Sequence, residues 1–296
     1  MARRWPDRTA LVWCDENGAE AKFTFGEMKS RSDKAANFLK GLGVRKGDPV
    51  MLILKRRYEF WFCALALHKL GAICIPATHL LTEKDIVYRN NAADIKMIIA
   101  VDDPGVLDRI IVAGKHSPTL QHRVILKGMR PGWQSLDEGI EAASEDFQRP
   151  EGRDDASNTD TLLIYFTSGT TGPPKMVRHD YTYPLGHILT ARYWQNVRDG
   201  GLHFTVADTG WAKAAWGKFY GQWIAGSAVF VYDYDRFVPA EMLRLLDKYR
   251  GHHVLRPPDH LPLSDQGGSV PVRFQSAGIL LGRRGTAESR GLPAVA

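Results

Sequence analysis

The stretch Tyr165–Lys175 reads "YFTSGTTGPPK" and continues directly from the apolar run "TLLIYFT" (Thr161–Thr167). The run has strand length and composition. The residues after it can continue neither as strand nor as helix. Gly169 and Gly172 give the backbone access to positive φ and clear away side-chain bulk. Pro173 and Pro174 stiffen the exit and prevent a helix from starting at once. A buried strand that delivers its chain into a tight glycine-rich loop is an element of α/β proteins, so the loop sets the frame for everything around it.

Working outward from the loop, short apolar runs alternate with longer helical patterns. "PVMLIL" (Pro49–Leu54), "AICIP" (Ala72–Pro76), "IKMIIAV" (Ile95–Val101) and "RVILK" (Arg123–Lys127) are strand candidates. They are apolar throughout, as strands are when helices cover both faces of a parallel sheet. "YEFWFCALALHKLG" (Tyr58–Gly71) has helix length and a terminal glycine. Thr82 and Asp85 have capping-box spacing and predict a helix start. "FTFGEMKSRSDKAANFLKGLG" predicts a strand fragment and then an amphipathic helix with Met28, Ala35, Phe38, Leu39 and Leu42 near one face. "EAASEDFQRPEGRDDASNTD" (Glu141–Asp160) is polar and aperiodic and reads as a surface connection. The fold class expected is α/β, with largely parallel sheets flanked by helices.

Composition narrows the function. Hydrophobic content of 44% and charged content of 24% fit a globular domain. No apolar run reaches membrane-span length, and the start "MARRWPDRTALVW" lacks the apolar core of a secretory signal. Cys14, Cys63 and Cys74 are odd in number and without a C-x-x-C pair, which argues against a disulfide framework or zinc site and for core positions in a reducing, cytoplasmic compartment. The net charge of +6 suits anionic small substrates, and equally a surface charge with no partner. Basic residues are spread along the chain and no basic stripe interleaves with aromatics, so a nucleic-acid partner is not expected.

The loop's chemistry comes from its residue types. Phosphates need several N–H and O–H donors converging with little bulk in the way. Successive amides around Gly169 and Gly172 can form such a nest, and Thr167, Ser168, Thr170 and Thr171 add hydroxyls. Lys175 adds a point charge and is the candidate catalytic residue. The spacing is not that of a Walker loop: Gly169 and Gly172 are too close, and Met176 comes after the lysine. The bland alternative, a simple surface loop, stays open on these residues alone.

"YFTSGTTGPPKMV" resembles the phosphate-binding signature of the adenylate-forming superfamily, which includes acyl-CoA synthetases, luciferases and peptide-synthetase adenylation domains. "ALHKLGAICIPATHLLTEKDI" and "ADTGWAKAAWGKFYGQWIAGSAVFVY" resemble further segments of its N-terminal domain in the same order. With "RHDYTYPLGH" (Arg178–His187) they look most like medium-chain acyl-CoA synthetases, over roughly Trp5–Arg250. The resemblance implies a two-step ligase that uses ATP, Mg2+ and CoA. A carboxylate attacks the α-phosphate to give an acyl adenylate and pyrophosphate; the CoA thiol then gives the thioester and AMP. It implies β- and γ-phosphate contacts by Thr167, Ser168, Gly169, Thr170, Thr171, Gly172 and Lys175. It also implies an acyl site shaped by Asp208, Gly210, Trp211 and Gly217, with Trp211 as an apolar wall. Ordinary core packing of Trp211 and Trp216 stays open beside that, and His187 and His203 read as structural. No metal ligand is assigned, and the oligomeric state is not legible.

Beyond Arg250 the texture changes. Residues 251–296 contain no Lys, Tyr or Trp and are rich in Gly, Pro and Arg. Removing one nucleotide near the Arg250–Gly251 codons lets back-translation read "VTTFCAPPTIYR" and later "EEPLNPEVYRQW", both similar to segments of the family. The expectation is a partial AMP-binding N-domain over 1–250 and an out-of-frame or disordered, irregular tail over 251–296. The family's adenine segment, metal-binding glutamate, ribose aspartate and C-terminal lysine have no counterpart here, so the chain as given is expected to be inactive. Two other readings are a non-catalytic nucleotide-binding fragment and an adenylation domain for another carboxylate.

Overall fold

The computed structural model describes residues 1–167 and 172–249, and the backbone of two short strands at 253–255 and 278–280. Two sheets organise the chain. The first holds β3 (Pro49–Ile53), β4 (Ile73–Pro76), β5 (Met97–Val101), β6 (His122–Leu126), β7 (Gln134–Ser135), β8 (Thr161–Thr167) and β9 (Lys175–Asp180), in the order β7-β6-β5-β3-β4-β8-β9. The second holds β1 (Thr9–Asp15), β2 (Glu20–Thr24), β10 (Leu202–Thr205), β11 (Ala228–Asp233), β12 (His253–Leu255) and β13 (Gly278–Leu280), in the order β13-β12-β10-β11-β1-β2. Among the described residues, strand pairings are parallel except β1 with β2 and β8 with β9.

The all-apolar strands are explained by what covers them. In β3, Val50 and Leu52 face one core while Met51 and Ile53 face another. The first core lies between the two sheets and contains α1 (Phe25–Gly41) and α2 (Glu59–Leu70). The second lies outside the first sheet, under α3 (Glu83–Ala92) and α4 (Pro104–Gly114), with Ile86, Val106, Leu107 and Ile110. The third lies outside the second sheet, where Phe204, Phe230 and Tyr232 meet Met242 of α9 (Pro239–Lys248). The result is a layered helix–sheet–helix–sheet–helix body. Its central helix α2 is apolar nearly all round, as a helix enclosed between sheets must be.

Local signals set the ends. Gly71 ends α2 with φ 73°, the left-handed conformation glycine adopts without penalty. Thr82 and Asp85 form the expected capping box, and Thr24 with Glu27 forms a second at the start of α1. Met28, Ala35 and Leu39 are buried, and Phe38 and Leu42 are partly buried. The polar connection after α5 (Leu136–Ala142) leads to β8 as expected. Cys14, Cys63 and Cys74 are buried free thiols. In the region expected to be an irregular tail, β12 and β13 extend the second sheet by backbone pairing; strands of three residues show no readable period. The rest of that expectation lies outside the described residues.

Candidate active site at the carboxyl ends of the strands

The glycine-rich loop connects two paired strands. β8 and β9 pair antiparallel, with Thr167 opposite Lys175 and Phe166 opposite Met176. The two residues predicted to bracket the phosphates are thus neighbours at the hairpin's end. Thr167 Oγ1 donates to the Lys175 carbonyl at 3.5 Å, and both residues are exposed. Tyr88 of α3 ties the exit down, its hydroxyl donating to the Pro174 carbonyl at 2.8 Å. Gly172 has φ 87°, which supplies the reason for a glycine there. Ser168, Gly169, Thr170 and Thr171 lie outside the described residues.

The second predicted group lies between β10 and α7 (Ala212–Lys218) and is clamped against the first sheet. A Cβ on Gly210 would stand 2.2 Å from the Ala77 carbonyl carbon and the Thr78 amide nitrogen. Gly210 therefore rests directly on the backbone just beyond β4. The Thr209 hydroxyl donates to the Lys55 carbonyl just beyond β3. Because β4 and β8 are adjacent and parallel, this clamp and the hairpin lie at the carboxyl ends of neighbouring strands. That is where open α/β sheets bind ligands.

Asp208 is buried, and its Oδ1 accepts the Gly210 amide at 2.9 Å. Its Oδ2 is 3.7 Å from His79 Nδ1, and neither atom has a hydrogen-bond partner among the described residues. Burial pushes this carboxyl up, but His79, the Arg56 charge and the Gly210 amide together hold it below the ordinary carboxylate value. Lys218 is fully buried below the loop, where its ammonium donates to the carbonyls of Thr205 and Ala207. Burial, reinforced by the charge on Arg56, drives it down to about 7. Arg56 lies over the Tyr234 ring at 4.0 Å, and Arg57 pairs with Asp233 at 3.1 Å.

Of the remaining predicted residues, Gly217 is buried and its carbonyl accepts the Thr205 hydroxyl at 2.6 Å. Trp211 is 57% exposed, so the core-packing alternative fails for it; Trp216 is half-buried against Trp194, with ring centroids 4.7 Å apart. His187 and His203 are buried, as structural histidines are. Sequence reasoning misses Arg56, His79 and Lys218. "KRR" (Lys55–Arg57) directly after a buried strand is the signal that points to Arg56; nothing local marks His79 or Lys218. Among the described residues, no group of three or more His, Cys, Asp or Glu side chains could hold a metal ion.

The family model described as "AMP-binding enzyme" matches residues 1–262. The chain belongs to this AMP-binding enzyme family. The family's human mitochondrial acyl-coenzyme A synthetase ACSM5 is 37% identical over 247 residues, covering 82% of this chain and 42% of that protein. Rat mitochondrial acyl-coenzyme A synthetase ACSM3 is 36% identical, with 81% and 41% covered. The chain thus spans less than half the length of these curated relatives. The fold is shared with the crystal structure of the anthranilate CoA ligase AuaEII in complex with anthranoyl-AMP (TM-score 0.75, 23% identity, 84% of this chain and 46% of that one). It is also shared with Brucella canis acyl-CoA synthetase (TM-score 0.76, 18% identity, 86% and 45%). No helix among the described residues is long and apolar enough to cross a membrane.

Proposed function

We propose that this AMP-binding chain is the N-terminal part of an acid–CoA ligase of the medium-chain acyl type, with 1–250 as its domain. The observation that carries the reading is the hairpin that brings Thr167 and Lys175 together beside the Asp208–Trp211 clamp, at the carboxyl ends of adjacent strands. In this reading Lys175, Thr167, Gly172 and the loop residues Ser168–Thr171 hold the β- and γ-phosphates of ATP. Preorganised donors there stabilise charge on the departing pyrophosphate. A carboxylate oxygen bonds to the α-phosphorus as the bond to pyrophosphate breaks. The CoA sulfur then bonds to the acyl carbon as AMP leaves. Asp208, Gly210, Trp211 and Gly217 shape the acyl side, with Trp211 as an apolar wall. Mg2+ would enter with the phosphates of ATP, since among the described residues no group of three or more His, Cys, Asp or Glu side chains could hold it. A reducing compartment is part of the reading. The cysteines suggest the cytoplasm, whereas the human and rat relatives are named mitochondrial; imaging of a tagged full-length protein separates the two.

Pyrophosphate exchange into ATP, run on the full-length protein with a panel of aliphatic, aromatic and amino acids, tests the reading. Exchange with aliphatic or aromatic carboxylates supports it; exchange with amino acids alone replaces it with a peptide-synthetase-like domain. For the chain as given, ATP affinity is expected near millimolar, about −4 kcal/mol. Lys175→Ala should weaken it further, since a hydrogen bond to a charged group is worth about 1.5–3 kcal/mol. Titration calorimetry that finds micromolar ATP binding, or no effect of Lys175→Ala, would contradict this part.

A further inference from the structure

A cavity of about 430 Å³ opens at the opposite edge of the molecule from the hairpin, where the edge strands β2 and β7 flank α1, α2 and α5. Phe23, Tyr58 and Phe62 wall it, with Phe23 and Phe62 edge-to-face and Tyr58 tilted against both, at centroid separations of 5.0–5.8 Å. Glu59, the first residue of α2, lines it and is only 5% exposed. Its Oε1 faces Lys127 Nζ at 3.9 Å, beyond hydrogen-bond reach, and its Oε2 is buried without a hydrogen-bond partner among the described residues. A carboxylate left this way is costly, and an incoming donor would relieve the cost.

The surroundings select the sign of that donor. Asp137, Glu138 and Glu141 line the same cavity, with Arg31 as the cation among its lining residues, 3.3 Å from Glu141. An adjoining cavity of about 290 Å³ shares Phe23, Arg31 and Glu141 and adds Glu27, Glu145 and Lys34. The groove is acidic on a chain whose net charge is +6. Its aromatic walls suit both an alkyl stem and an ammonium, which is drawn to ring faces. Lys127 already demonstrates the preference: its Nζ lies 5.8 Å from the Trp13 ring centroid and 5.4 Å from that of Tyr58.

From this geometry we infer that the groove between α1, α2 and α5 is a second small-molecule site, which takes a linear alkyl diamine or polyamine. One ammonium pairs with the Glu59 carboxyl group where that residue lines the groove, the methylene stem lies along Phe23, Tyr58 and Phe62, and a second ammonium meets Glu138 and Glu141 at the rim. The site is separate from the nucleotide site, and ATP does not occupy it.

Cadaverine is the probe, titrated by calorimetry against the full 296-residue chain. Saturable one-to-one binding is expected, with pentanediol, which has the same stem but no charge, binding at least about tenfold more weakly. Glu59→Gln, which keeps the shape and removes the charge, should also cost about tenfold. The diol comparison needs no variant, so it holds even if a substitution disturbs folding. No saturable binding of cadaverine by about 10 mM, equal binding of the diol, or equal binding by a folded Glu59→Gln protein would each overturn the inference. Competition between ATP and cadaverine would also overturn the separateness of the site.

Discussion

Gly210 is the point where the candidate acyl-site loop touches the other sheet, and Gly210→Ala tests how tight that contact is. The added Cβ would lie 2.2 Å from two backbone atoms, at Ala77 and Thr78, where ordinary contact starts at 3.4 Å. No rotamer change relieves a clash with backbone, so the loop must retreat by about 1.2 Å, the difference between these distances. Overpacking of this kind costs about 1–3 kcal/mol. The retreat also strains the bond from the Gly210 amide to the Asp208 carboxylate, a class of bond worth about 1.5–3 kcal/mol. Because the loop can relax in part, the expected net loss is about 2–4 kcal/mol. Urea unfolding monitored by tryptophan fluorescence reads this as a midpoint about 1 M lower, for a slope of about 2–3 kcal/mol per M. Gly186→Ala is the control. A Cβ there meets nothing within 4 Å, and in a helix alanine is favoured over glycine. If Gly210→Ala unfolds within about 0.5 kcal/mol of the parent, the size of an ordinary surface change, the clamp is not what holds the loop.

Burial holds the Glu59 carboxyl at about 7 in the folded chain, above its ordinary 4.5. Between those values the folded state binds more protons than the unfolded one. Stability should therefore fall as pH rises through that window, by about 3 kcal/mol at most, and Glu59→Gln should flatten the difference between urea melts at about pH 5 and about pH 8. Lys218 titrates in the opposite sense. Its folded value of about 7 is below the ordinary 10.5, so the unfolded chain binds more protons between them. Stability should rise with pH across that range, and Lys218→Met should abolish the rise; an unchanged slope in the variant would assign it to other groups. Thr82→Ala removes the side chain that caps α3 and should cost about 1 kcal/mol in the same assay, with Thr82→Ser close to neutral.

Residues alone disclose whatever short-range physics dictates. The runs around β3, β4, β5, β6 and β8 are apolar on both faces, and only a strand covered on both sides is written that way. The stop at Gly71, the cap at Thr82 and the glycine loop between Thr167 and Lys175 are likewise conformational demands made by neighbours in sequence. Their positions therefore carry over into the structure. β9 is not legible: "KMVRHD" is a largely exposed edge strand, whose polar sequence carries no burial pattern, and only its pairing with β8 makes it a strand. Gly18, Gly200 and Gly226, all at positive φ, punctuate β1, β10 and β11, but the order of these strands in the second sheet is set by packing over α1 and α2. The site divides in the same way. Lys175 and the loop announce themselves because the chemistry lies within one turn of chain. Arg56, His79 and Lys218 come from segments far apart in sequence and converge on Asp208 only after two sheets close on a shared layer of helices. The protonation of Asp208 and Lys218 is a property of that enclosure, because burial and neighbouring charge, not residue type, set how a buried group titrates.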